Sequence, residues 1–90
     1  MFKIIWSPNA EKEYLDNLQF WIDHNKSNSF SLKIISEVEE MEMLISTFPY
    51  IGKKIKKDVS ILRVLVLRRF YIYYEIVNET INIVAFKAAQ

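Results

Sequence analysis

Lys53, Lys54, Lys56 and Lys57 fall within five positions in the stretch FPYIGKKIKK (48–57), and Arg63, Arg68, Arg69 and Lys87 follow on the C-terminal side. Ammonium and guanidinium groups at this density suit contact with an anion. The formal net charge of the 90 residues is nevertheless only +1. Up to Thr47 there are four basic residues (Lys3, Lys12, Lys26, Lys33) and eight acidic ones (Glu11, Glu13, Asp16, Asp23, Glu37, Glu39, Glu40, Glu42), a balance of −4. From Phe48 onward eight basic residues face three acidic ones (Asp58, Glu75, Glu79), a balance of +5. Such an asymmetry implies that the second half meets something acidic, a nucleic acid or an acidic protein segment. The plainer alternative is that the lysines solvate an exposed loop.

Other side chains invite the same double reading. Arg63 stands in an apolar run, where a charge requires a partner: either a phosphate or partner protein, or a structural ion pair with a helix acid. Tyr71 and Tyr73 share a strand face with Glu75, so they can stack on bases or pack against aromatic neighbours across the sheet. His24 is expected on the surface near a helix terminus, where its charged form is favoured. Trp6, Trp21 and the Met41-x-Met43 pair suit core or interface positions. Gly52, the only glycine, is expected to supply a turn conformation that other residues resist. With no cysteine and one histidine, disulfides and thiolate sites are ruled out and no metal or cofactor is expected.

The elements that position these groups can be read from apolar periodicity. FKIIW (2–6) is a short β-branched and aromatic run that predicts a strand. Ser7 is a natural N-cap and Pro8 suits the first helical position, and Ala10, Tyr14, Leu18, Trp21 and Ile22 recur at helical spacing. HNKSNS (24–29) breaks the pattern. Phe30, Ile34, Val38, Met41 and Ile45 then mark a second helix that ends near Phe48-Pro49. After Pro49 the period shortens to two: ILRVLVL (61–67), FYIYYEIV (70–77) and TINIVAF (80–86) predict three strands, joined by connections short enough to force an antiparallel meander. In the second of these, Phe70, Ile72, Tyr74 and Ile76 share one face. The expected fold is α+β, in the order β-α-α-β-β-β, with the helix hairpin on one face of an antiparallel sheet of about four strands that the first strand joins.

Ninety residues with 51% hydrophobic and 14% aromatic content, one glycine and two prolines describe one dense domain over residues 1–90, burying roughly 60–65% of its unfolded surface. No apolar run approaches the roughly 18 residues of a membrane span, and the N-terminal run is too short for a signal peptide, so a cytoplasmic location is expected.

That order of elements, with Pro49-x-x-Gly52, a basic loop, Arg63 opening a strand, and FYIYYEI followed by INIVAF, resembles the toxins of the RelE/ParE superfamily over nearly the whole chain. The resemblance implies the toxin component of a bacterial type II toxin–antitoxin (plasmid stabilisation) system, with a cognate antitoxin as partner. It also implies one of two targets, since RelE-like members cleave messenger RNA on the ribosome and ParE-like members poison DNA gyrase. RNA cleavage needs a base for the 2′-hydroxyl, positive charge against the phosphorane and an acid for the leaving oxygen. Laid on the RelE-like pattern, Arg63 matches the first basic strand position, Leu65 stands where a second lysine is expected, Tyr71 where an arginine is expected, and Lys87 near a common histidine position. Arg63 and Lys87 are thus the candidate catalytic residues of a RelE-like reading. Lys53, Lys54, Lys56, Lys57, Arg63, Arg68, Arg69, Tyr71 and Tyr73 are the candidates for contact with target or nucleic acid. The incomplete set favours the ParE branch, with a ribosome-dependent ribonuclease as the alternative and an inactive toxin-fold binding protein as the third reading. The oligomeric state stays open.

Overall fold

A computed structural model describes residues 1–89. β1 (Lys3–Trp6) leads into α1 (Pro8–Asn25) and α2 (Ser29–Thr47), a single 3-10 turn follows at Pro49–Ile51, and β2 (Lys53–Lys54), β3 (Ile61–Val66), β4 (Phe70–Val77) and β5 (Thr80–Ala88) complete the chain. The α+β order expected from the sequence is present, with one strand more than expected. The sheet runs β1-β5-β4-β3-β2, antiparallel throughout except for the parallel pairing of β1 with β5.

Local chemistry explains the boundaries. Ser7 Oγ accepts from the Ala10 amide at 3.0 Å, with Pro8 at the first helical position, so a donor left orphaned at the helix start is satisfied. α1 ends at Lys26 in the left-handed region, φ 56°. α2 stops at Thr47 before Phe48-Pro49, since the ring of Pro49 cannot continue the ladder. The extra strand, β2, arises where Lys53 and Lys54 pair with Arg63 and Leu62. The sequence gives no apolar alternation there because both residues lie exposed at the sheet edge, where lysines deter further strand pairing.

β3 is one residue shorter than its apolar run. Leu67 and Arg68 both have positive φ, 56° and 57°, and the Arg69 amide donates to Val66 O at 3.0 Å, closing a tight turn whose twist suits a hairpin. β5 runs two residues beyond TINIVAF, and a bulge interrupts its pairing with β4 near Tyr73 and Tyr74.

One face of the sheet is buried under the helices. Leu62, Val64, Val66, Phe70, Ile72, Tyr74, Ile81, Ile83 and Phe86 meet Ala10, Ile34, Val38 and Ile45. Met41 is only partly buried and Met43 is 67% exposed, so the methionine pair divides between the flank of the core and the surface. No helix is long and apolar enough to cross a membrane.

Candidate functional site

The opposite face of the sheet carries the candidate site. Strand pairing sets Lys53 beside Arg63, Arg63 beside Tyr73, and Tyr73 beside Ala85. The next row sets Leu65 beside Tyr71 and Tyr71 beside Lys87. Neighbouring strands lie about 4.8 Å apart, so a basic and aromatic surface extends from the β2 edge to β5. Its lysine end is the β2–β3 hairpin: Lys53 and Lys54 in the strand, Lys56 and Lys57 beyond it, all four exposed. The Val59 amide closes that connection on Lys56 O at 3.4 Å.

Arg63 lies at the centre of this surface. Its Cζ sits 4.1 Å from the centroid of Tyr71, the diagonal cross-strand neighbour. Among the described residues it has no ion-pair partner, so the expected alternative of a pair with a helix acid is not what holds it; the ring face does. The Tyr71 and Tyr73 rings are 6.0 Å apart and tilted by 56°, and both remain partly accessible. Met41, Ile51, Lys53, Arg63, Val64, Leu65 and Tyr71 line a hollow of about 410 Å³ beside this pair.

Lys87 is held differently. Its ammonium is paired with Glu13 Oε2, while Glu13 Oε1 accepts from the Phe86 amide at 3.0 Å. β1 pairs with β5 only as far as Ile83, so the α1 carboxylate satisfies a donor on the stretch of β5 that β1 leaves uncovered. Lys87 is therefore drawn toward α1, three strands from Lys53.

Arg68 and Arg69 are not brought to the lysines. They occupy the β3–β4 turn, at the other end of β3 from the lysine hairpin, where the Arg69 guanidinium lies 5.7 Å from Trp21 and 5.6 Å from Phe30. The cleft there, about 770 Å³, is lined by residues that include Phe20, Trp21, Arg68 and Arg69. His24 is exposed, as expected, and stacks on Phe20 at 5.5 Å.

Sequence reasoning missed Tyr74. Its hydroxyl donates to Pro49 O at 2.7 Å and accepts from the Gly52 amide at 3.1 Å, fixing the segment that leads into the lysines. Burial raises its pKa, against the opposing effect of the Gly52 hydrogen bond. The expectation for Gly52 is corrected accordingly. Its φ is −66° and ψ 160°, a conformation open to any residue, but an added Cβ would lie 2.5 Å from Tyr74 Oη. Gly52 is required by close approach.

The sequence pattern of the family described as "ParE toxin of type II toxin-antitoxin system, parDE" matches residues 4–89. The chain belongs to the ParE toxin family. This ParE-family toxin also shares its fold with a chain of the chromosomal ParDE toxin–antitoxin system from P. aeruginosa, at a TM-score of 0.77 and 14% identity, over 100% of this chain and 98% of that one. No curated protein sequence matches it. The chain is thus a toxin of the type II toxin–antitoxin class, within the RelE/ParE superfamily that its sequence resembles.

Proposed function

We propose that this toxin acts as a binding poison of DNA gyrase, through the face centred on Arg63, and that a cognate antitoxin neutralises it. The observation that supports this reading is what surrounds Arg63. Its cross-strand neighbours are Lys53 and Tyr73, with Tyr71 on the diagonal, and the other candidate for proton transfer, Lys87, is tied to Glu13 on α1. A ribonuclease needs a base, an acid and charge against the phosphorane within reach of one phosphate, each worth about two or more orders of magnitude in rate. The lysines of the β2–β3 hairpin are exposed to solvent, where their charge serves to attract an acidic partner. The surface offers cations and aromatic rings for holding a partner.

Two experiments test this. A ribosome programmed with messenger RNA should show no A-site cleavage in the presence of the purified toxin; cleavage that disappears in Arg63→Ala would overturn the proposal in favour of a ribosome-dependent ribonuclease. Co-expression with the protein encoded by the adjacent reading frame should yield a stable complex, and failure of the two to co-purify would remove the antitoxin part.

A further inference from the structure

Arg63 has two diagonal neighbours on β4. Its direct partner across the sheet is Tyr73, so Tyr71 stands two residues to one side and Glu75 two residues to the other, all on the same face. An arginine with a carboxylate at that range would ordinarily turn to it. The pull is greater here because Lys53 on β2 stands opposite Arg63 from the other side, and like charges repel. The guanidinium instead lies 4.1 Å from the centroid of Tyr71 and makes no ion pair among the described residues. The Glu75 carboxylate is engaged elsewhere, accepting from Ser60 Oγ at 2.8 Å.

A carboxylate would take the paired N–H groups of the guanidinium and cancel its charge, whereas a ring face attracts the cation without cancelling it. Tyr71 suits this task by its place. β4 is paired on both sides, with β3 and β5, and the tilted ring of Tyr73 lies 6.0 Å away, so Tyr71 is a fixed platform on an inner strand. A long side chain aimed beforehand loses less freedom on binding than one aimed by its partner. We propose that Tyr71 is a positioning residue for Arg63: it holds the guanidinium off Glu75, which Ser60 engages, so that the N–H groups stay open to an anionic group of the partner. The proposal deepens the gyrase reading and rests on it for the functional consequence, while the side-chain arrangement stands apart from that reading.

Two measurements on the full chain test it. In the proton NMR spectrum the Arg63 side-chain resonances should lie upfield of those of Arg68, shifted by the ring; the shift should vanish in Tyr71→Leu and persist in Tyr71→Phe. In supercoiling assays Tyr71→Leu should inhibit gyrase at least about tenfold more weakly than wild type, and Tyr71→Phe should retain the inhibition to within about threefold. Adding Glu75→Gln to Tyr71→Leu should recover at least about fivefold, whereas Glu75→Gln alone should change inhibition by less than about twofold. Arg63 resonances without the ring shift, or unaltered by Tyr71→Leu, would overturn the proposal whatever gyrase does. A loss in Tyr71→Leu that Glu75→Gln does not recover would overturn it too, since Tyr71 would then touch the partner itself. So would an equal gain from Glu75→Gln in both backgrounds. Gyrase untouched by the wild-type protein would refute the gyrase reading alone, and the spectrum would then decide the positioning.

Discussion

At the scale of residues, one buried hydroxyl fixes the segment on which the lysines stand. Tyr74→Phe would leave Pro49 O and the Gly52 amide without their shared partner, at a cost of about 1–3 kcal/mol measured by urea denaturation. Gly52→Ala should cost about as much, because its Cβ meets Tyr74 Oη at 2.5 Å. The double variant should lose less than the sum of the two, since removing the hydroxyl also removes the atom nearest the new methyl group. This contact was not legible in the sequence. A lone glycine suggests special backbone geometry, and only the packing reveals a neighbour 22 positions away. Arg63 was legible as a charge in need of company, but the choice of Tyr71 depends on strand register. Tyr14 carries a prediction in pH. Burial, with Glu42 and then Glu39 adding to it, raises its pKa from 10.0 to about 12. Raised in the folded state, the phenol contributes its stability fully below pH 10, where both states are protonated, and loses it between 10 and about 12 as the unfolded chain ionises first. The melting temperature should fall across that window, and Tyr14→Phe should make the fall shallower; an identical fall in the variant would show that Tyr14 takes no part.

At the scale of elements, the turns are where periodicity and structure part. The apolar pattern carried the helices and β4 well, because buried faces repeat at fixed intervals, and Ser7-Pro8 marked the start of α1. It ran through Leu67, an apolar residue that the hairpin places in the left-handed region, and it missed β2, a two-residue pairing of exposed lysines. Left-handed geometry costs a non-glycine residue roughly 1–2 kcal/mol. Arg68, exposed and at φ 57°, should therefore be improvable: Arg68→Gly is expected to raise unfolding free energy by about 0.5–1 kcal/mol, the strain relieved less the added flexibility of the unfolded chain. A loss of stability would mean that the arginine contributes more to the turn than its strain removes.

At the scale of the molecule, the charge asymmetry read from the sequence survives folding, but it is distributed. Lys53 and Arg63 share one sheet surface while Lys54, paired with Leu62, turns to the other, Lys87 is tied to α1, and Arg68 and Arg69 stand at the far turn, Arg69 beside Trp21. Sequence counts the charges, and only strand order separates them. Lys53, Lys54, Lys56 and Lys57 form no ion pair among the described residues, so replacing all four with glutamine should leave the melting temperature within about 2 °C of wild type, as for surface positions generally. An equal loss of stability would show the cluster to be structural. The most direct measurement is inhibition of gyrase-catalysed DNA supercoiling by the purified chain, compared with this quadruple variant at low and high ionic strength. The expected result is inhibition by the wild type and at least about tenfold weaker inhibition by the variant at low salt, with the gap closing as salt screens the charges. Unimpaired supercoiling at saturating wild-type protein, or inhibition indifferent to the four lysines and to salt, would contradict it.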